Sequence, residues 1–246
     1  MSMDEIKNSI GTSGYYYPGW IGQFYPPDVK SSEFLDYYQN YFNTVELNST
    51  FYHMPKKTTM KNLKRKLKED FVVSLKMNRT ITHIKRLQNI ENELQIFFDS
   101  VSELGTYLGA ILVQLPPSLK LNVALLNTFL ELLPKRYQYA IEFRHNSWLD
   151  EGIFKLLKDY NVAFAVSHGD NYPFLKIETA AFSYIRLHGP KELYASSYSK
   201  SELKEWATYI KQINEKGLNT FVYFNNDFYG YAVKNATSLQ KLLTTL

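Results

Sequence analysis

The chain has 246 residues, 45% hydrophobic and 21% charged, which is enough ordinary globular sequence to bury one large core and excludes disordered, fibrous and small stapled classes. Lys and Arg exceed Asp and Glu by 28 to 24, a net charge of +4 that permits an anionic ligand without marking a nucleic-acid protein. With no cysteine, thiol nucleophiles, disulfides and zinc fingers are excluded.

In chain order, short β-branched or apolar runs alternate with longer segments whose apolar residues recur at helical spacing. Strands are predicted at residues 9–13, 44–49, 71–77, 108–115, 138–144, 162–167, 182–188 and 220–225. Helical patterns fall at 32–41, 58–69, 90–104, 123–133, 151–160, 199–216 and 233–243. Such alternation predicts parallel strands joined by crossover helices. Without a linker or composition break, the pattern predicts an α/β fold, a single (β/α)8 TIM barrel over residues 1–246, in preference to an open doubly wound sheet. Residues 168–181 contain Pro173 and are too few for a full outer helix, so the sixth crossover is expected to be shortened to a turn or stub of helix. No strand-linked GxGxxG, phosphate loop, HExxH or GxSxG occurs. Residues 1–8 carry Asp4, Glu5 and Lys7 instead of an apolar signal, and no apolar run reaches the roughly 18 residues of a membrane span, so a cytoplasmic protein without membrane contact is expected.

In a barrel of this kind the site forms at the carboxyl ends of the strands. There the sequence reads Val45-Glu46-Leu47-Asn48, Ser74-Leu75-Lys76, Val113-Gln114, Ile141-Glu142-Phe143-Arg144 and Ile185-Arg186-Leu187-His188. Side chains alternate along a strand, so if the apolar members face the helices, Glu46, Asn48, Lys76, Gln114, Glu142, Arg144, Arg186 and His188 face the axis. Buried charges must neutralise one another or serve a ligand. Two carboxylates and three permanent cations leave one surplus positive charge, which an anionic substrate would balance. Glu46 and Glu142 are candidate general acids or bases, His188 a proton shuttle, and Arg144 and Arg186 forks for phosphate or carboxylate. Lys76 fits an electrostatic clamp, a proton-transfer group or a Schiff-base amine. No cofactor is predicted; two Glu, His188 and Asp227 form the alternative of a divalent-metal site, which the neighbouring cations oppose.

The loops that follow the strands are aromatic, with Tyr15 to Tyr17 and Trp20, Phe51 and Tyr52, Trp148, Tyr194 and Tyr198, and Phe228 and Tyr229. Some rings fill the core, Trp20 and Phe24 as a barrel cap; others are platforms for a sugar or base. Asn225, Asn226 and Asp227 add groups that orient hydroxyls or amides. The lysines around 56–68 read as the solvated face of an outer helix, whereas Arg79, His83, Lys85 and Arg86 follow the third strand and could steer a phosphate inward.

The segments Gly11-Thr12-Ser13-Gly14, Phe42 to Tyr52, Gln114-Leu115-Pro116-Pro117, Glu142-Phe143-Arg144-His145, Arg186-Leu187-His188-Gly189 and Tyr223 to Asp227 resemble the YecE-like family, also called domain of unknown function 72, over residues 11–243. The resemblance implies a TIM barrel similar to the xylose-isomerase and endonuclease-IV type, and no established activity to carry over. Its matching motif positions are Glu46, Asn48, Tyr52, Gln114, Glu142, Arg144, Trp148, Arg186, His188, Tyr198, Asn225 and Asn226; Tyr15 stands where relatives often have a tryptophan. A fold analogy with a DNA-repair nuclease does not transfer function. The expected function is an enzyme acting on an anionic, hydroxyl-bearing small molecule, such as a phosphorylated sugar or nucleotide fragment, by proton transfer or hydrolysis. The alternatives are a nucleic-acid-binding protein whose cavity accepts a base, and a barrel that senses a metabolite.

Overall fold

The structure is a computed structural model that describes residues 7–169 and 172–245. Residues 1–6, on which the expectation about a signal partly rests, and 170–171 of the sixth crossover lie outside the described residues. The strands β1 (Asn8–Ser13), β2 (Thr44–Leu47), β3 (Val72–Lys76), β4 (Leu108–Gln114), β5 (Gln138–Glu142), β6 (Ala163–His168), β7 (Phe182–Leu187) and β8 (Asn219–Phe224) pair in sequence order. All pairings are parallel, and β8 returns to β1 to close the barrel. The open doubly wound sheet is thereby ruled out.

Period-2 alternation divides the core into two layers. Inside the barrel, Ala110, Leu112, Ala140, Ala163 and Ala165 from β4 to β6 lie with Phe182, Tyr184, Phe221 and Tyr223 from β7 and β8. Large rings from one side of the barrel fill the space that alanines leave on the other. The outward residues Val45, Leu75, Val113, Ile141, Ile185 and Val222 pack against the surrounding helices. Above the rings, Tyr223 Oη lies 2.7 Å from Thr44 Oγ1 and donates to Ser74 Oγ at 2.8 Å, so the interior turns polar toward the carboxyl ends.

The helices are α1 (Phe34–Tyr38), α2 (Ser49–Tyr52), α3 (Lys57–Lys64), α4 (Glu91–Val101), α5 (Val123–Glu131), α6 (Glu151–Asp159), α7 (Lys200–Glu215) and α8 (Tyr231–Thr245). Caps set several starts: Asn122 for α5, Asp150 for α6, and a Ser199/Glu202 capping box for α7. The helix expected at 58–69 ends early, at Lys64. Lysines and Arg65 at four-residue spacing repel one another there, and Gln39 Oε1 takes the Lys68 N–H instead. The helix expected at 32–41 is a 3-10 turn, Ser31–Glu33, followed by the five residues of α1. In the sixth crossover the described residues form no helix, so the expected helical stub is corrected to irregular chain. Thr179 Oγ1 ties that segment to the barrel, accepting the Phe164 N–H and donating to Val162 O, both at 2.7 Å.

Much of the aromatic content is core. Tyr25 stacks on Phe34 at 4.1 Å, and Trp20, buried against Tyr17 and Tyr25, donates its indole N–H to Asp227 O at 3.2 Å. That bond joins the loops after β1 and β8 and caps the seam where the barrel closes. Among the described residues, no helix is long and apolar enough to cross a membrane.

The β1–β2 approach depends on Gly11, where a Cβ would lie 2.2 Å from Thr44 O, whereas a Cβ at Gly19 would meet nothing within 4 Å. Gly11→Ala is therefore expected to lower the thermal midpoint, with a destabilisation of about 1–3 kcal/mol, while Gly19→Ala leaves it nearly unchanged. Equal midpoints for the two variants would contradict the packing described.

Candidate functional site: a cationic pocket over a neutralised charge layer

Arg186, on β7, is 1% exposed and joins two carboxylates from opposite parts of the barrel. Its Nε and Nη2 donate to Glu46 on β2 at 2.9 and 2.8 Å, and its Nη1 donates to Glu142 on β5 at 2.5 Å. Glu46 also accepts from Tyr184 Oη at 2.7 Å and from Ser13 Oγ. Glu142 accepts from Gln114 Nε2 at 3.1 Å and pairs with Arg144. Burial would raise both carboxyl pKa values, but the opposing charges outweigh it: Arg186 and its hydrogen bonds hold Glu46 below its ordinary value, and Arg144 and Arg186 hold Glu142 far below. Both are ionised near neutrality, and each of their oxygens holds at least one donor.

Above this layer, at the carboxyl ends, opens a cavity of about 860 Å³. Asn48, Tyr52, Lys76, Gln114, Arg144, Arg186 and Asn225, all singled out in the sequence, line it together with Tyr17, Phe51, Tyr172, Tyr194 and Asp227. Lys76 is 8% exposed. Its Nζ donates to Gln114 Oε1 at 3.0 Å and lies 4.0 Å from the centre of the Phe51 ring. Among the described residues no carboxylate comes within ion-pair distance of it. Burial, and then the repulsion of Arg186, lowers its pKa to about 8 against the pull of Glu142 and Glu46. Arg144 lies against the Tyr172 ring at 3.6 Å, and its Nε is buried without a hydrogen-bond partner. The same cation field, after burial itself, holds His83 at about 4, so this imidazole beside Phe51 is neutral at pH 7.

Several residues singled out in the sequence do not reach the cavity. His188 is fully buried below it, with Nε2 facing Ser167 Oγ at 3.0 Å and Nδ1 facing Asn225 at 3.1 Å. Burial and then Arg186 push its pKa well below the usual range, so the neutral imidazole is favoured there. Trp148 turns under its loop, stacks on Phe143 at 4.8 Å and donates to Leu119 O at 2.7 Å. Tyr198 is buried, with its hydroxyl between His168 Nδ1 at 2.8 Å and the Gly189 N–H at 3.2 Å. Asn226 donates to Ser196 O and Asn235 Oδ1 at 2.9 and 2.8 Å, because neighbours past a strand end cannot both face the axis and Asn225 takes the inward place. Tyr15 lines a neighbouring cavity of about 640 Å³ and packs on Tyr38, while Tyr17 takes the main cavity wall.

The metal alternative meets a different geometry. Arg186 stands between Glu46 and Glu142, and among the described residues no three His, Asp or Glu side chains gather as a ligand set. Tyr172 was not singled out in the sequence; its only signal was the short, proline-bearing sixth crossover, which here places its ring over Arg144. Tyr194 closes the same wall, its hydroxyl 3.1 Å from that of Tyr172.

A closed parallel barrel with a neutralised charge layer beneath a cationic, tyrosine-walled mouth defines a (β/α)8 protein with a small-molecule-sized site at its carboxyl end. The chain belongs to the family described as protein of unknown function DUF72, whose model matches residues 9–246. It is 29% identical over 144 residues to UPF0759 protein YecE of Escherichia coli (strain K12), a match covering 58% of this chain and 50% of that protein, so the chain spans about half the length of this relative. It is 24% identical to UPF0759 protein YunF of Bacillus subtilis (strain 168), over 95% of this chain and 94% of that protein. Among solved structures, a DUF72 family protein from Thermotoga maritima MSB8 superposes with a TM-score of 0.88 at 30% identity, covering 97% of this chain and 99% of that one. A DUF72 family protein from Enterococcus faecalis V583 shares the fold, with a TM-score of 0.84 at 19% identity, covering 96% of this chain and 95% of that one.

Removing Arg186 would strand two buried carboxylates, so Arg186→Met is expected to cost about 3–5 kcal/mol at pH 7. In the wild type the depressed carboxyl pKa values contribute stability that is present above the ordinary value of 4.5 and lost as pH falls below it. In the variant Glu46 is buried without its cation and has a raised pKa, while Glu142 keeps Arg144, so the variant gains stability through Glu46 as pH falls. Urea unfolding at pH 7 and pH 4.5 should show the gap between the two proteins narrowing at the lower pH; a gap independent of pH would contradict the assignment.

Proposed function

We propose that the cavity binds an anionic, hydroxyl-bearing small molecule and that Lys76 transfers a proton on it. The observation that carries this reading is the distribution of charge. Arg186 is spent on Glu46 and Glu142, and Arg144 spends one nitrogen on Glu142. What lines the cavity is then the Lys76 ammonium without a carboxylate beside it and Arg144, whose Nε–H is buried without a hydrogen-bond partner. Asp227 lines the cavity too, where burial raises its pKa, and it forms no ion pair with Lys76.

Within the reading, Lys76 and Arg144 hold the anion, Gln114 aims the Lys76 ammonium, and the tyrosine rings cover the ligand's uncharged part. A lysine with a pKa near 8 serves as an acid or a base close to neutrality. Glu46 and Glu142, each of whose carboxylate oxygens already holds a donor, act as fixed counter-charges. The small anion is preferred to a nucleic acid because the basic loop after β3 is tied down locally. Lys85 pairs with Glu93 at 2.8 Å and Arg86 bonds Ser118, while Lys57 and Lys61 of α3 pair with Asp99 and Glu103.

Sulfate is a suitable probe because its charge is constant across the range tested. Its affinity, measured calorimetrically, is expected to hold up to about pH 8 and to fall above it as Lys76 deprotonates. The groups facing Lys76 are Arg186, Arg144, Glu142, Glu46 and Gln114 with Phe51 and His83; His83 is held at about 4, Glu46 and Glu142 below the ordinary carboxyl value, and Arg186 above its ordinary value, so these do not imitate the loss. Lys76→Met should weaken binding at pH 7 by about tenfold or more and flatten the profile. An unchanged affinity from pH 7 to 9.5 in the wild type would remove Lys76 from the site.

A further inference from the structure

The amide of Asn48 is locked in one orientation by the charge layer, and the lock has a consequence for the ligand. Glu46 is ionised and can only accept, so Ser13 Oγ must spend its single proton on it. The two remaining acceptor positions of that hydroxyl are filled by Arg186 Nη2 at 3.3 Å and by Asn48 Nδ2 at 2.9 Å. Turning the amide over would set Asn48 Oδ1 against an oxygen with no proton left to give. Oδ1 therefore points away from Ser13, and it is buried without a partner. The residue stands between the main cavity and the neighbouring one of about 640 Å³, and the β2–β3 register, with Leu47 opposite Leu75, brings it alongside Lys76 at the strand ends. Thr50 Oγ1 donates to Lys76 O at 2.7 Å and holds that juxtaposition.

An unpaired buried acceptor is costly, and a ligand that supplies a donor recovers the cost, whereas one that does not leaves it standing. We infer that Asn48 is a specificity-determining residue, accepting a hydrogen bond from a hydroxyl or amino group that the ligand carries next to its anionic end. The complementary orphan on the other side of the pocket, the Arg144 Nε–H, takes an oxygen of the anion itself. The ligand class is thus narrowed from any small anion to hydroxylated or aminated phosphates and carboxylates. This inference rests on the anion-binding reading and deepens it.

The test uses two matched pairs that differ in the donor alone: glycerol 3-phosphate against propyl phosphate, and lactate against propionate. Dissociation constants from ligand-observed NMR on the wild-type chain are expected to favour the hydroxylated member of at least one pair by about tenfold. Asn48→Ala should erase that preference by weakening the hydroxylated ligand to the level of its partner. Asn48 makes no side-chain cap to α2, so the substitution removes only its bond to Ser13 Oγ, and the wild-type ratio stands as a test even if the variant fails to fold. Equal affinities within both pairs, or a preference that survives in Asn48→Ala, would overturn the role of Asn48 while leaving the anion site in place. If neither pair binds at all, the anion reading fails and this inference falls with it.

Discussion

The constraint on which the rest of the structure depends is the burial of Arg186 between Glu46 and Glu142. A guanidinium that is 1% exposed can exist there only because both of its edges meet carboxylates, and the carboxylates exist there only because of it. The three come from β7, β2 and β5, so the pairing is made by closure of the barrel and by no local segment. Tyr184 and Ser13 complete the coordination of Glu46, and Gln114 and Arg144 that of Glu142. The layer separates an apolar interior filled by rings and alanines from the polar mouth.

That arrangement redistributes the tasks among the charged residues. Taken singly, Glu46 and Glu142 have the chemistry of general acids and bases, and Arg186 that of an anion clamp. Taken together they satisfy one another, which in the proposed reading leaves the residues at the edge of the network to meet a ligand. Lys76 touches the network only through Gln114, and Arg144 only through one nitrogen. Asn48 touches it through Ser13. Each therefore has one side fixed by the layer and the other turned to the cavity, which is the kind of support that holds a binding group in a single geometry.

The barrel was legible in the sequence because two periods alternate along the chain, and the axis-facing set was legible because polar residues replace apolar ones on alternate positions near the strand ends. Those signals placed Asn48, Lys76, Gln114, Arg144 and Arg186 at one cavity. They did not show that Arg186 would consume its donors, since Glu46 and Glu142 lie 140 and 44 residues away along the chain. Trp148, Tyr198 and Asn226 sit in the loops beyond the strands, where alternation stops and loop geometry decides direction; there all three became loop anchors. Tyr17 and Tyr172 reach the cavity from irregular segments, for which no periodicity exists to read. The early end of α3 likewise reflects charge repulsion and a side chain from another element, Gln39, that a helical pattern does not register.

The central claim is that the charge layer is internally satisfied and leaves Lys76 as the cation that meets the ligand. The most direct measurement is the titration of the Lys76 side chain followed by NMR of its ε-carbon and ζ-nitrogen, with and without sulfate. The account predicts a midpoint near 8 in the free protein that moves upward when sulfate is added, because a bound anion stabilises the ammonium. A midpoint at the ordinary lysine value of 10.5, indifferent to sulfate, would contradict it.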